Sequence, residues 1–319
     1  MTGQLATGQH EGRPAGEHAD EFALRKPPGA LRPFVGWAAG YRQAGIGSAT
    51  FRGLPSPWLT LIVTLDDPLV IAEHPDPGQP PSTHDFLLGG LHTSRALVTH
   101  DGRQSGVQLG LTPLGARALL GMPAAELASI DVEATDVLGG IASQLRERVV
   151  AETDWAGRFA AIEAFLLRRA ADSEALSGAG GLAGAGSVAR VRPEVSHAWR
   201  RLRETRGGIG IAGLAAETGW SPRHLGALFR AETGLSPKAA ARVIRFDRAR
   251  RLLARRHASA GQPGSRQSGL LAGLAADCGY YDQAHLAREF RDLAGCPPSQ
   301  WLAEEFRNVQ AALCGDWES

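Results

Sequence analysis

From residue 58 to residue 111 the apolar positions come in short runs broken by turn-forming residues. Trp58-Leu59-Thr60-Leu61-Ile62-Val63-Thr64-Leu65 is rich in β-branched side chains and predicts a strand, closed by Asp66-Asp67-Pro68. Leu69-Val70-Ile71-Ala72 reads as its hairpin partner across that turn. Phe86-Leu87-Leu88-Gly89-Gly90, Ala96-Leu97-Val98-Thr99 and Gly106-Val107-Gln108-Leu109-Gly110-Leu111 predict further strands, with Asp101-Gly102 as a hairpin turn between the last two. Short strands at close spacing point to a small barrel or sandwich.

After Thr112 the period becomes helical. Thr112 can cap a short helix that starts on Pro113 and runs to about Leu120. Helical patterns follow at residues 136–149 and 155–169. In the second, Phe159, Ile162, Phe165 and Leu166 share one stripe and Arg158, Arg168 and Arg169 fall largely off it, a face for a core or for a second subunit. Residues 177–187 are almost entirely Gly, Ala and Ser, a composition whose backbone is costly to order. The expected organisation is a mobile tail at 1–26, a β-rich effector or dimerisation domain at 27–175, a linker at 176–190, a helical domain at 191–308 and a tail at 309–319.

The helical domain repeats itself. Leu214-Ala215-Ala216-Glu217-Thr218-Gly219-Trp220-Ser221-Pro222-Arg223-His224-Leu225-Gly226-Ala227-Leu228-Phe229-Arg230 is matched by Leu274-Ala275-Ala276-Asp277-Cys278-Gly279-Tyr280, and then by Asp282 to Arg291. Each copy predicts a short helix ending at a glycine able to turn left-handed, an aromatic in the crook, and an N-cap residue (Ser221, Asp282). A second helix follows with inward Leu and Phe four residues apart. This is the pattern of a helix-turn-helix, whose second helix enters the major groove. A bundle of protein-binding repeats would share its apolar spacing. Between the copies, Pro237 to about Arg256 reads as one long helix, with Val243, Ile244, Ala249 and Leu252 inward and Arg242, Arg245, Arg248, Arg251, Arg255 and Arg256 mostly outward. About 20 residues span roughly 30 Å, close to the ~34 Å of one DNA turn.

Charge favours the DNA reading. The 319-residue chain has a net charge of only +1, but residues 190–310 hold 20 Lys and Arg against 11 Asp and Glu, and the remainder holds 14 against 22. A basic module joined to an acidic one suits a nucleic-acid reader attached to a different kind of domain. Three cysteines without a close pair (Cys278, Cys296, Cys314) argue against a disulfide framework or a zinc knot. No apolar run is long enough to span a bilayer and the N-terminus does not read as a signal peptide, so no membrane partner is expected and the cytoplasm is the expected location.

Residues 193–306 resemble the AraC/XylS family of bacterial regulators. The second copy carries most of that family's hallmark, Gly279-Tyr280-Tyr281-Asp282-Gln283-Ala284-His285-Leu286-Ala287-Arg288-Glu289-Phe290-Arg291 and then Gly295-Cys296-Pro297-Pro298. The resemblance implies seven helices with two helix-turn-helix units joined by a long helix, and a variable N-terminal domain that senses a ligand or dimerises. The fold class expected is therefore α+β, a small N-terminal β-barrel or sandwich with helices, broadly cupin-like, and an all-α C-terminal domain.

The outward, N-terminal part of a recognition helix reads bases. In the second copy that face offers Gln283, His285 and Arg288, to which the family's contact positions also map; in the first it offers Arg223 and His224. Arg pairs bidentately with guanine and Gln with adenine. Gly226 and Ala227 depart from the longer side chains common in the family, so the first unit is expected to anchor more than it specifies. Ser221, Arg230, Lys238 and Arg291 are candidate phosphate contacts. Trp37, Tyr41, Trp58 and Phe86 are candidates for an effector pocket.

The expected partners are double-stranded DNA, a small-molecule effector, a second copy of the chain and, for an activator, RNA polymerase. The competing reading is an enzyme or metal-dependent sensor of cupin type fused to the same DNA reader. His74, His84, His92 and His100 fall near Asp76, Asp85 and Asp101, but no His-x-His pair begins a cupin metal site. No nucleophile elbow, phosphate-cradling loop or His-Glu-x-x-His is present. No enzyme activity, catalytic residue, metal or cofactor is expected.

Overall fold

The computed structural model describes residues 19–178, 190–259 and 267–305. Strands β1 (Ala19–Arg25), β2 (Val35–Ala44), β4 (Leu59–Thr64), β7 (Phe86–Gly89), β9 (Gln104–Leu111) and β10 (Asp131–Glu133) form one antiparallel sheet in the order β1-β2-β9-β4-β7-β10. Strands β3 (Ala49–Gly53), β5 (Leu69–Glu73), β6 (Ser82–His84) and β8 (Ala96–His100) form a second, ordered β3-β8-β5-β6. Strand β1 lies within the stretch expected to be a mobile tail and pairs along its whole length with β2.

Neither expected hairpin forms. Both edges of β4 are taken, by β7 and β9, so β5 has no place beside it and joins the other sheet. Likewise β9 lies between β2 and β4 while β8 pairs with β3 and β5, so Asp101-Gly102 carries the chain from one sheet to the other. Gly102 makes that corner at φ +108°, which a side chain would not tolerate.

Strand parity divides the larger sheet into two faces. Leu59, Leu61 and Val63 of β4, Val107, Leu109 and Leu111 of β9, and Phe86 and Leu88 of β7 pack under helices in the main core. Their alternate neighbours Thr60, Ile62, Leu87 and Gln108 face a cavity between the sheets. With both faces covered, β4 reads as a nearly unbroken apolar run. Trp37 and Tyr41 of β2 lie directly opposite Gly110 and Gly106 of β9. A Cβ on Gly110 would collide with the Trp37 indole, and one on Gly106 would come within 2.9 Å of the Tyr41 hydroxyl. The glycines leave room for the aromatic rings against the sheet.

Helices α1 (Ala116–Leu120), α2 (Ala134–Leu138), α3 (Gly140–Ala151) and α4 (Trp155–Gly178) cover the outer face. The short helix starts as expected: Thr112 Oγ1 accepts from the Gly115 amide at 3.0 Å. The single helix expected over 136–149 is broken at Gly139, whose φ of +66° ends α2. Phe159, Ile162, Phe165 and Leu166 of α4 are all buried in this core, so the stripe is used within the chain. Arg158, expected off the stripe, is buried too, with its guanidinium 4.8 Å from the Trp155 ring. Helix α4 continues to Gly178, into the start of the expected linker; the rest of that linker and the C-terminal tail lie outside the described residues.

The helical domain comprises α5 (Pro193–Glu204), α6 (Ile211–Thr218), α7 (Pro222–Thr233), α8 (Pro237–Ser259), α9 (Gln267–Asp277), α10 (Gln283–Ala294) and α11 (Pro298–Glu305). Ala240, Ala241, Val243 and Ile244 of α8 belong to the core around α6 and α7, whereas Phe246, Ala249, Leu253 and Ala254 belong to the core around α9 and α10. Leu252, expected inward, is only half-buried at the edge of the latter core. Arg251, expected outward, is buried and ion-paired with the buried Asp247. Burial works to raise the Asp247 pKa, but Arg251 and Arg250 hold it below the ordinary value.

The β domain docks on both halves of the helical domain. Leu91 enters the core of the first half and Leu54 that of the second. Arg117 clamps the nearly buried Glu232 of α7 at 2.8 and 3.0 Å. Arg52 pairs with Glu304 of α11 at 2.7 Å.

Replacing Gly110 by Val forces overpacking against Trp37 and is expected to cost about 1–3 kcal/mol, read as a lowered denaturation midpoint with altered tryptophan emission. A second expectation concerns acid. Hydrogen bonds from Arg201, at 2.8 and 3.1 Å, and then from His197, at 2.8 Å, hold the Glu217 carboxylate down at about 2. Its ordinary value is about 4.3. The tie between α5 and α6 therefore stabilises fully above that ordinary value and is lost as pH falls towards the folded one. The difference in Tm between the native chain and Glu217→Gln should shrink across that window; a difference independent of pH would remove this account.

Candidate nucleic-acid interface

Each repeat copy folds to the same turn. Helix α6 ends with the Trp220 amide donating to the Ala215 carbonyl at 3.1 Å and the Gly219 amide to Ala216 at 3.2 Å. Helix α9 ends with Tyr280 donating to Ala275 at 2.9 Å and Gly279 to Ala276 at 3.2 Å. Both are Schellman turns, and their glycines sit at φ +70° and +72°. Helices α7 and α10 then start on side-chain caps. Ser221 Oγ accepts from the His224 amide at 3.2 Å, and Asp282 Oδ1 accepts from the His285 amide at 2.6 Å. The second cap is charge-assisted and also complements the positive end of the helix dipole.

Leu225 and Phe229, and likewise Leu286 and Phe290, are fully buried and fix the inward faces. On the outward faces Arg223, His224, Ala227 and Arg230 of α7 and Gln283, Arg288 and Arg291 of α10 are exposed, as are Ser221 and Lys238. The two faces are unequal because Ala227 stands where Arg288 stands in the second unit. His285 differs from expectation. It is half-buried, its ring packs edge-on against Tyr280 at 5.3 Å, and its Nδ1 accepts the Tyr281 amide at 3.3 Å. His224 is exposed but also leans on its turn aromatic, Trp220, at 4.8 Å. Both histidines thus brace the turn.

Tyr281 was not singled out from the sequence. It is 93% exposed beside the α10 N-terminus, a bare aromatic flanking the outward face of that helix. The signal was the doubled aromatic Tyr280-Tyr281, of which only the first ring packs inside. The buried acids that hold the recognition helices were also missed. Glu289 of α10 accepts from Arg242 Nε at 3.0 and 3.2 Å, so the second recognition helix is bonded to α8. Glu232 bonds the first to the β domain instead.

Trp37, Tyr41 and Trp58 come together around the cavity between the sheets, of about 90 Å³. Thr60, Gln104, Gln108, His92 and Asp131 supply its polar lining, and Asp247, Arg250 and Arg251 of α8 form one wall. Burial pushes the Tyr41 hydroxyl well above its usual pKa, so the cavity meets it neutral. Phe86 is not part of this lining. It is in phase with Leu88 and faces the helices, while Leu87 lines the cavity.

His74 and His84 meet at Ser82, while His92 and His100 are engaged elsewhere. His74 Nδ1 lies 2.9 Å from Asp131, and Ser82 Oγ bridges His74 Nε2 at 2.9 Å and His84 Nε2 at 2.6 Å. His92 bonds the Ser94 carbonyl at 2.5 Å, and His100 packs against Phe51. Asp76 accepts from the Gly78 amide, Asp85 pairs with Arg146, and His100 rather than Asp101 accepts from Gly102. Among the described residues no group of three or more His, Cys, Asp or Glu could hold a metal ion. No described helix is long and apolar enough to cross a membrane.

Removing the stronger cap, Asp282→Ala, is expected to cost about 1 kcal/mol, and Ser221→Ala less. Chemical denaturation of the two variants measures this; equal losses would contradict the ranking by charge.

Residues 214–304 match the family model described as a helix-turn-helix domain. No curated protein sequence matches the chain. Among solved structures, the C-terminal domain of AraT, a response regulator from Geobacillus stearothermophilus, is similar over 38% of this chain and 93% of its own, at 21% identity and a TM-score of 0.31. ToxT from Vibrio cholerae O395 is similar over 85% of this chain and 97% of its own, at 12% identity and a TM-score of 0.46. ToxT from Vibrio cholerae strain SCE256, solved with an unsaturated fatty acid bound, covers 91% and 97%, at 10% identity and a TM-score of 0.45. Likenesses this distant transfer no ligand or partner to this chain.

Proposed function

We infer that this chain, a DNA-binding transcription regulator with an AraC-type helix-turn-helix domain at residues 214–304, reads two successive major-groove segments through α7 and α10. The carrying observation is the twice-repeated Schellman turn and cap that leaves arginine on the outward face of both second helices. Helix α8 has 23 residues, about 34 Å at 1.5 Å per residue. That matches one turn of DNA, the spacing that two recognition helices on one face require.

The roles are unequal. Arg288 and Gln283 of α10 are the principal base readers, with His285 held by the turn and contributing less. Arg223 and His224 read bases in the first unit, where the short Ala227 reaches nothing. Ser221, Arg230, Lys238 and Arg291 contact phosphates, and such contacts position rather than specify. Tyr281 adds a sugar or phosphate contact beside the second helix.

The β domain senses a small molecule in the cavity around Trp37, Tyr41 and Trp58. Its volume suits a ligand of few heavy atoms or a handful of waters. A ligand there touches α8 directly through Asp247, Arg250 and Arg251, so it acts on the helix that spaces the two readers. The same domain is free to dimerise, although the α4 stripe that suggested a dimer face is occupied by the core. RNA polymerase is the further partner if the regulator activates. The proposed location is the cytoplasm.

Arg288→Ala should weaken operator binding by about 1–3 kcal/mol at fixed salt and relax discrimination at one base position. Arg230→Ala should weaken all sequences alike and lower the slope of log affinity against log salt by about 1. Unchanged operator affinity and base preference in Arg288→Ala would falsify the placement of the reading face.

A further inference from the structure

The larger sheet ends in β1, which pairs with β2 along one side and, among the described strands, with none along the other. An open edge presents a row of backbone N–H and C=O groups, a template for a further strand. Strand β1 is seven residues long and pairs with β2 in unbroken register, so no bulge twists this edge away. Prolines come only after it, at Pro27 and Pro28. Its middle carries Phe22 and Leu24, which lie opposite Tyr41 and Ala39 of β2. Tyr41 and Ala39 are buried, but Phe22 and Leu24 are 38% and 53% exposed.

Charges on an edge strand ordinarily repel a second strand. Those of β1 are sorted so as to attract a copy of itself. Asp20 and Glu21 precede the apolar centre, and Arg25 and Lys26 follow it. An antiparallel pair of β1 strands with its two-fold axis at Ala23 sets Phe22 opposite Leu24, Glu21 opposite Arg25 and Asp20 opposite Lys26, each twice. Residues directly opposite share a face of the sheet. Phe22 and Leu24 of both copies then form one apolar cluster, with an acid–base pair at either end. Moving the axis by one residue in either direction sets charges opposite apolar side chains. Parallel pairing sets like charges together.

The other face of β1 is followed by α4. Trp155 Nε1 donates to Glu21 at 3.1 Å, and Arg25 donates to Glu163 at 2.8 and 3.1 Å. These bonds hold two of the charged side chains along the edge, and Glu21 and Arg25 both stay exposed. Pairing brings the two α4 helices towards the axis on this face. That contact adds to a strand pair which alone falls short of the roughly 1,200 Å² of a stable interface.

We propose that β1 is the homodimer interface of this chain. Two copies pair antiparallel through their β1 edges in the register centred on Ala23, and their sheets join into one across a two-fold axis. The proposal rests on the reading that the β domain dimerises and names the surface that does so. It is independent of the effector cavity and of the operator-reading residues.

The test is sedimentation velocity of the full chain over a range of concentrations at low salt. The native chain should form a reversible dimer. Asp20 and Lys26 are exposed, so both tolerate replacement. Asp20→Lys sets two like-charged pairs across the axis and should raise the dimer dissociation constant about tenfold; Lys26→Asp should do the same. An equimolar mixture of the two variants should regain near-native dimer, because both pairs are again of opposite sign. A misfolded variant could not give that recovery. Leu24→Lys should leave the chain monomeric with Tm unchanged. A dimer that none of these variants weakens overturns the proposal and leaves dimerisation through another surface. Weakening without recovery in the mixture overturns the register, and the proposal with it. A native chain that is monomeric at every concentration overturns both the proposal and the dimerisation reading; if Leu24→Lys then lowers its Tm, the edge is covered by another segment of the same chain.

Discussion

The structure depends on one helix serving two cores. Helix α8 gives Ala240, Ala241, Val243 and Ile244 to the first helix-turn-helix unit and Phe246, Ala249, Leu253 and Ala254 to the second. Neither unit could bury its short helices alone, because pieces of 8 to 12 residues are marginal without tertiary packing. The distance and rotation between α7 and α10 are therefore properties of α8. Its middle carries Asp247, Arg250 and Arg251, the buried charge cluster that also walls the cavity of the β domain.

The second helices of the two units are held by different ion pairs. The second is tied to α8 through Glu289 and Arg242, within its own domain. The first is tied outward, to the β domain, through Glu232 and Arg117, and the C′ glycine of α7 lies so close to that domain that a Cβ there would stand 2.5 Å from Ala128.

Much of the helical domain was legible in the sequence, because its signals are local. A Gly that must turn left-handed, an aromatic, and a cap three residues before the amide it serves all act within a few residues, and each formed as the spacing required. The β domain was less legible for the opposite reason. Strand runs were found, but pairing depends on which edges remain free elsewhere, and that sent β5 and β8 to a sheet that local turn chemistry could not indicate. Phe86 shows the same limit at the level of one residue. Strand parity separates it from Leu87, but not which parity faces the cavity.

The sequence by itself determined the paired turns, the long helix between them and the exposed arginines on the outward faces of the second helices, since period, caps and charge are written along the chain. Only the tertiary structure decided that Arg251 is buried, that His285 braces Tyr280, that the α4 stripe is consumed inside, and that Arg203 of α5 stacks on Trp58 of the β domain. Those outcomes depend on residues brought together from distant parts of the chain, such as Trp58 and Arg203. No local pattern encodes such a meeting, because it exists only once the two domains have docked.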